Sequence, residues 1–185
     1  MTVRYEPLPA EVDAQITYAL NAYCRGVDRR DWDLVRTAFH RDARDNHGRF
    51  SGSVDVMIEW MQSRHPRISM SMHFLGNSMR QRLDDSSIAV ETYCIAFQSV
   101  EAAVAREVIG IAEEHWPELD AITDPVQSQV RCRYLDVFSE CEGVWRISRR
   151  KVVYESRQLE IGAPIPPGTG GSRDENDPSF SHFGD

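Results

Sequence analysis

Asp28 and His73 are the residues of this 185-residue chain whose types best suit proton-transfer chemistry. A carboxylate that accepts a hydrogen bond from an imidazole holds the ring in one tautomer and stabilises its protonated form. The second ring nitrogen is then free to take a proton from a substrate. Asp28 and His73 lie far apart in sequence, so only the fold can bring them together.

The segments around these two residues predict a helix and a strand. Asp28 closes a predicted helix over residues 9–27, and His73 lies in a strand-like run over residues 68–83. In that run His73 shares one face with Ser71 and Leu75, because side chains alternate between the two faces of a strand. The helix carries one apolar stripe at three- and four-residue steps. Its members are Val12, Ile16, Ala19, Leu20, Tyr23 and Val27.

The other segments predict an α+β fold. Asp31 can cap a short second helix, residues 40–52 suggest a loop with a short strand, and a third helix runs from Ser53 towards Pro66. Long strands are predicted at 68–83, 87–101, 126–141 and 144–159. Three helices followed by long, mostly antiparallel strands favour a sheet that curls around the helices and leaves a concave interior.

Two segments allow more than one interpretation. Residues 102–125 interrupt the strands, with a possible helix over 102–112 followed by a loop. Such an insertion is either a pocket lid or subunit contact, or a tolerated surface segment. Residues 162–185 are rich in Pro, Gly and acidic residues, which favours an exposed or disordered tail beyond a single domain of residues 1–161.

Charge and composition restrict the class of protein. A net charge of −8 and a pI near 5.3 argue against non-specific nucleic-acid binding. The chain lacks a run of about 18 apolar residues, so we expect no membrane span. Its cysteines form no CxxC pair and lie in apolar segments, which favours buried free thiols and a cytoplasmic location. The spacing of the histidines suggests no metal site, and no glycine-rich phosphate loop is present.

Three stretches of the sequence resemble a known family. They are YCRGVDRRDWDLVRTAFHRDARDNHGRFSG, SMHFLGN and RYLDVFSECEGVWRISRRKVVYE. Together they resemble the SnoaL-like branch of the nuclear-transport-factor-2-like superfamily, over roughly residues 9–158 except 102–125. The resemblance implies a cone-shaped, curved antiparallel or mixed sheet with three N-terminal helices enclosing a pocket, a cystatin-like α+β barrel.

The resemblance also implies roles for particular residues. Dehydratase and dehydrochlorinase members of the superfamily use an Asp–His dyad, and Asp28 and His73 match its positions. Tyr23 matches a pocket tyrosine of the bile-acid dehydratase, and Arg133, rather than Arg131, matches a pocket arginine on the penultimate strand. A further set is expected to line the ligand pocket. These residues are His47, Trp60, Ser71 and Leu75.

Each of these roles has a structural alternative. Asp28 can be solvated or paired with a neighbouring arginine, His73 and Tyr23 can simply pack in the core, and Arg133 can form a surface ion pair. The function that the resemblance favours is a cofactor-independent lyase of the dehydratase kind, or an isomerase, acting on a hydrophobic ring compound such as an aromatic or steroid-like molecule. The alternatives are a non-catalytic binding protein and an accessory subunit resembling dioxygenase β chains. A homo-oligomer, dimer or trimer, is expected by resemblance.

Overall fold

A curved six-stranded sheet with helices against its concave face forms the fold of this protein. The computed structural model describes residues 7–110, 116, 124–162, 166 and 168–183. The helices of the described residues are α1 (Ala10–Arg29), α2 (Trp32–Thr37), α3 (Val54–Arg64), α4 (Ala102–Ile109) and α5 (Pro178–Phe183). The strands are β1 (Phe39–Asn46), β2 (Ser51–Ser53), β3 (Ile68–Asp84), β4 (Ser87–Val100), β5 (Val126–Cys141) and β6 (Val144–Ile161).

The strand order is β2-β1-β6-β5-β4-β3. All neighbours are antiparallel except β1 and β6, which run parallel. The α+β prediction and its four long strands are therefore confirmed. At the tight β5–β6 connection Glu142 and Gly143 both have positive φ (54° and 81°), the conformation that a two-residue hairpin turn requires.

The start of the chain differs from the prediction in two places. Helix α1 continues to Arg29 rather than ending at residue 27, so Asp28 lies in its last turn. A Cβ at Gly26 would lie 2.7 Å from the Val35 side chain, so glycine allows α2 to pack closely. Residues 39–46 form a strand where a loop was expected, because their pairing partner β6 lies far away in sequence.

The core lies between α1, α3 and the concave face of the sheet. Strand β5 shows the alternation most clearly, with every second side chain from Val126 to Phe138 buried. Cys24, Cys94 and Cys132 are buried free thiols as expected, whereas Cys141 is exposed because it lies at the β5–β6 turn.

The C-terminal segment is not an exposed tail throughout. Arg173 and Asp177 are only 5% and 4% exposed. Asp177 lies 3.2 Å from Arg29 of α1, and the Arg25 guanidinium lies over the ring of Phe183 of α5. The prediction of exposure is thus wrong for Arg173 and Asp177, whose side chains find partners at the end of α1, whereas most of residues 168–183 are exposed.

Insertion 102–125 begins with a helix, as its first residues suggest. Helix α4 packs the buried Ala105, Val108 and Ile109 against Ile68, Val100 and Val126 at one end of the sheet. The predicted loop after it lies largely outside the described residues.

Candidate active site

Asp28 and His73 meet at the edge of the interior cavity. The His73 ring donates its Nδ1–H to Asp28 Oδ1 at 2.7 Å, and the His73 backbone N–H donates to Asp28 Oδ2 at 2.8 Å. Ser71 donates its hydroxyl to Asp28 Oδ1 at 2.8 Å. Among the described residues nothing hydrogen-bonds to His73 Nε2, which leaves that nitrogen for a ligand.

This pairing resolves the problem of a carboxylate near a helix C-terminus. Such a position is unfavourable for an anion because the last carbonyls of the helix point towards it. Here three hydrogen bonds from β3 compensate the charge. Ser71 therefore supports Asp28 from a buried position and also borders an outer groove beside His73. Its contact with a ligand stays a prediction.

The pair stabilises the charged form of both partners. Burial alone would raise the Asp28 pKa, but the His73 charge and the hydrogen bonds from His73 and Ser71 outweigh it, so the Asp28 pKa is lowered. Burial alone would lower the His73 pKa, but the charge of Asp28 and its hydrogen bond raise it above 6.5. A base with a raised pKa binds a proton more strongly, as carbon-acid chemistry requires.

A second Asp–His pair lies across the cavity. His47 Nδ1 contacts Asp45 Oδ1, and His47 Nε2 lies 3.1 Å from the Tyr23 hydroxyl. The ring centroids of Tyr23 and His73 are 6.3 Å apart, so the second pair faces the first. Burial raises the Tyr23 pKa well above 10, with Arg150 partly opposing, which keeps the phenol protonated. The Tyr23 hydroxyl is thus protonated and lies beside His47 at the cavity.

Beneath Tyr23 lies a fully buried ion pair. Arg150 donates to both carboxylate oxygens of Asp136 at 2.7 Å, and both side chains are 0% exposed. The guanidinium lies 4.2 Å from the ring centroids of both Tyr23 and Tyr134, whose rings are nearly perpendicular to each other. Burial would lower the Arg150 pKa, but Asp136 outweighs it, so the pKa is raised and the cation is retained.

Sequence reasoning did not assign these buried residues. The position of Asp136 carried a usable signal, because it falls in the inward register of β5 with Tyr134 and Phe138. A carboxylate in an apolar register needs a buried partner. Asp45 and Arg150 gave no comparable signal, because the pairing of β1 with β6 decides whether their side chains point inward.

The interior cavity has a volume of about 90 Å³ and is lined by Tyr23, His47, His73 and Tyr134 among others. A second cavity of about 320 Å³ continues outward from it and shares His47, Trp60, Arg64, Tyr154 and Arg157. We call this second cavity the mouth. The ring of Trp60 stacks on Phe50 with centroids 5.6 Å apart, which makes Trp60 a wall of both spaces.

His73 also borders an outer groove of about 530 Å³ between α1, β3 and the C-terminal segment. The interior cavity differs from this groove in that Tyr23 and His47 line the cavity and do not line the groove. On the groove side the Nδ1 atom of His73 is already hydrogen-bonded to Asp28. Leu75 borders this groove and packs against the core, so it supports the site without facing Tyr23.

Arg133 does not reach the cavity, contrary to the prediction. Its neighbours Cys132 and Tyr134 point inward, so strand alternation turns Arg133 to the outer face. There its Nε lies 2.7 Å from Glu155 Oε1, and its Nη1 lies 2.5 Å from Glu91 Oε1. The alternative of a surface ion pair is therefore correct, and Arg131, whose side chain is exposed, does not take its place.

Arg173 is a second residue of the site region that sequence reasoning missed. Its guanidinium donates to the carbonyls of Val27 and Asp28 at 2.8 and 3.0 Å, and to that of Ile68 at 2.8 Å. It also donates to His65 Nδ1 at 2.8 Å. Burial and then the Arg173 charge lower the His65 pKa to about 2, so His65 remains a neutral acceptor. Arg173 thus caps the end of α1 directly behind Asp28.

Over the described ranges, no cluster of three or more His, Cys, Asp or Glu side chains has a geometry that could hold a metal ion. In the same part of the chain no helix combines the length and apolar character that a bilayer span needs.

The sequence and the fold agree with a known family. Residues 9–151 match the SnoaL-like domain, and the chain belongs to this family, a branch of the nuclear-transport-factor-2-like superfamily. No curated protein matches the chain significantly.

Solved structures show the same fold at low sequence identity. A hexachlorocyclohexane dehydrochlorinase, LinA type 2, is 13% identical with a TM-score of 0.67, covering 86% of this chain and 96% of its own. The protein Kfla4162 from Kribbella flavida is 14% identical with a TM-score of 0.63, covering 81% and 95%. A Novosphingobium aromaticivorans protein provisionally assigned as a scytalone dehydratase is 12% identical with a TM-score of 0.60, covering 88% and 99%.

Proposed function

We propose that this protein is a cofactor-independent lyase of the dehydratase kind, acting on a small hydrophobic ring compound. The observation that carries the proposal is the Asp28–His73 hydrogen bond, which leaves Nε2 of His73 available at the cavity. Two of the solved neighbours are described as a dehydrochlorinase and, provisionally, a scytalone dehydratase, which supports elimination as the reaction class.

In the proposed reaction the Asp28–His73 pair accepts a proton, and the Asp45–His47 pair supplies one through Tyr23. His73 Nε2 takes a proton from a ring carbon, and the electron pair of that C–H bond forms a double bond as the neighbouring bond to the leaving group breaks. Asp28 stabilises the resulting imidazolium. Tyr23 donates its hydroxyl proton to the leaving group, which departs as water when it is a hydroxyl.

His47 can return a proton to Tyr23 after the leaving group departs. When both ring nitrogens of His47 carry protons, Nδ1–H donates to Asp45 and Nε2–H donates to the Tyr23 oxygen. The phenol O–H is then free to point at the ligand. The cation of Arg150 beneath the ring stabilises negative charge that develops on the phenol oxygen.

The size of the cavity narrows the ligand class. An interior space of about 90 Å³ that opens into a mouth of about 320 Å³ suits one ring with a substituent better than a fused steroid skeleton. A homo-oligomer stays a prediction; the exposed Met72, Phe74 and Tyr93 on the outer face of the sheet are consistent with it.

The test is proton exchange at activated ring carbons. Wild-type protein in D₂O is expected to incorporate deuterium next to the carbonyl of six-membered ring ketones, measured by NMR, and to eliminate a leaving group placed at the β position. The variant His73→Ala should lose exchange by about 10²-fold or more. Its thermal unfolding is measured to verify that the variant is folded at the temperature of the assay.

A matched control is His40→Ala, which removes a histidine that only contacts the Ser139 carbonyl, away from the cavity. Exchange by His73→Ala at the wild-type rate would remove His73 from the mechanism. Tight binding of ring compounds without exchange or elimination by the wild-type protein would instead identify a non-catalytic binding protein.

A further inference from the structure

Three arginines from separate elements converge on the last carbonyls of α4. Arg64, at the end of α3, donates to the Val108 carbonyl at 2.6 Å, and Arg157 of β6 donates to the Ile109 carbonyl at 3.2 Å. Arg49, between β1 and β2, lies 3.4 Å from the same Ile109 carbonyl. We call these three residues the arginine cluster.

The cluster borders the proposed substrate space. All three arginines line the mouth, and Arg64 and Arg157 also line the interior cavity that contains His73. The Arg64 guanidinium lies 4.6 Å from the ring centroid of Trp60, which holds it against the cavity wall. Gly110 has a φ of 60° and no side chain, and the Arg49 guanidinium occupies the space where a Cβ would lie.

Carboxylates of the described residues do not neutralise this cluster. Glu155 borders the mouth, but it is paired with Arg133 on the outer face, and Asp45 is paired with His47. Burial lowers the pKa of Arg64, and the neighbouring Arg49 and Arg157 lower it further. The carbonyls at a helix end carry only about half a unit charge, so they compensate three cations incompletely.

This positive region is unusual for a chain with a net charge of −8. A cluster of one sign beside a low-dielectric cavity attracts ligands of the opposite sign. Two guanidinium groups with free N–H donors suit a carboxylate, which accepts two parallel hydrogen bonds. The distribution of charge therefore points to an anionic ligand whose ring lies inward and whose charge lies at the mouth.

We propose that the substrate is a ring compound bearing a carboxylate, which Arg64 and Arg157 bind at the mouth while the ring lies beside His73. The inference rests on the proposed function, since it specifies the substrate class of the same cavity. Arg49 contributes to the field at the entrance. In this arrangement the cluster positions the reacting carbon by holding the far end of the molecule.

The experiment compares a ring acid with its neutral ester. The probes are 3-oxocyclohexanecarboxylate and its methyl ester, whose rings are the same and whose ketones have exchangeable protons. Binding is followed by titration calorimetry and by Trp fluorescence, separately from exchange. We expect the wild-type protein to bind the acid at least tenfold more tightly than the ester, and raised NaCl to weaken only the acid.

The variants identify the cluster as the cause. Arg157→Gln and, separately, Arg49→Gln should weaken acid binding about tenfold and threefold and leave the ester unchanged. Arg133→Gln makes the same charge change on the outer face and should alter neither probe. Thermal unfolding of each variant verifies folding.

Two results together would overturn the inference. The first is equal affinity of the wild-type protein for the acid and the ester. The second is the same lack of preference in Glu113→Gln/Glu114→Gln, a double variant that removes two acids following Gly110 in sequence. If the proposed function fails and the carboxylate site is correct, the protein will bind the acid selectively without catalysing exchange. Exchange of both probes with equal affinity would preserve the proposed function and reject the carboxylate site.

Discussion

At the scale of single residues, the site depends on hydrogen bonds that fix which groups carry protons. Asp28 accepts from the ring and the backbone of His73, so the tautomer with Nδ1–H is held and Nε2 faces the cavity. Tyr23 and His47 are in contact at the same cavity, and the proposed reaction assigns them the donor side. If the same side chains were spread over the surface, each would titrate independently and none would hold a partner in a fixed orientation.

Asp28→Asn is expected to change both the rate and the pH profile. His73 acts as a base only when neutral, so wild-type activity should rise as pH increases through its raised pKa, above 6.5. Removing the carboxylate lowers that pKa, so the acidic limb should move to lower pH while the maximal rate falls about 10²-fold or more. The measurement is the exchange rate from pH 5 to 9, roughly the range in which histidine titrates.

The exposed Asp33 provides the control, because Asp33→Asn makes the same change on the surface of α2. An acidic limb that stays in place in Asp28→Asn would show that His73 is not the group titrating in the profile.

Tyr23→Phe is expected to separate the two halves of the reaction. The ring packing on Arg150 and Tyr134 is retained, while the proton donor to the leaving group is lost. Exchange should therefore stay within a few-fold of wild type, and elimination should fall by about 10²-fold. Tyr18→Phe, at an exposed position on the same helix, should change neither rate. Equal loss of exchange and elimination in Tyr23→Phe would contradict a donor role.

At the scale of elements, the end of α1 is where three parts of the chain join. Strand β3 supplies His73 and Ser71 to Asp28, and the C-terminal segment supplies Arg173 to the carbonyls behind it. The backbone of Asp28 is thereby restrained from the side opposite His73. Helix α4 has a comparable role at the mouth, where its final carbonyls contact the arginine cluster.

Arg173→Met should destabilise the fold and loosen the dyad. The substitution keeps much of the side-chain volume but removes the hydrogen bonds to the carbonyls of Val27 and Asp28 and to the His65 ring. The Ile68 carbonyl loses one of its two donors and keeps Arg30 at 3.0 Å. Loss of hydrogen bonds from a buried charged group predicts a decrease of about 2–4 kcal/mol in the free energy of unfolding, measured with urea.

Arg146→Met, at an exposed position of β6, is the matched control and should stay within about 0.5 kcal/mol of wild type. An unchanged midpoint for Arg173→Met would mean that the C-terminal segment contributes little to the stability of α1.

At the scale of the whole molecule, stability and activity are expected to have opposite pH dependence. The folded state binds the His73 proton more tightly than the unfolded state, whose histidine has a pKa of 6.5. The contribution of this group to stability is therefore complete below pH 6.5 and is lost as pH rises through the folded pKa. Activity requires the deprotonated base and should increase over the same interval.

The corresponding measurement is the free energy of unfolding as a function of pH in wild type and His73→Phe. The wild type should lose stability relative to the variant as pH rises above 6.5. Asp28, with its lowered pKa, contributes stability above its unfolded value of 3.8 that is lost as pH falls through the folded pKa. Parallel curves above pH 6.5 would refute the coupling of His73 to folding.

The sequence by itself determined the element types. Helical and strand periodicities are local properties, so the long helix, the four long strands and the β5–β6 turn could be read from adjacent residues. Asp28 and His73 could be paired only through the resemblance to a family, because periodicity says nothing about which distant residues meet.

Only the tertiary structure decided which side chains face the cavity. A shift of one residue in strand register moves a side chain to the opposite face, which is why Arg133 points outward and Arg150 lies inside. The contacts of Arg173 with the end of α1, of His47 with Tyr23, and of the arginine cluster with α4 join segments far apart in the chain. Such contacts arise from packing, which no local pattern encodes.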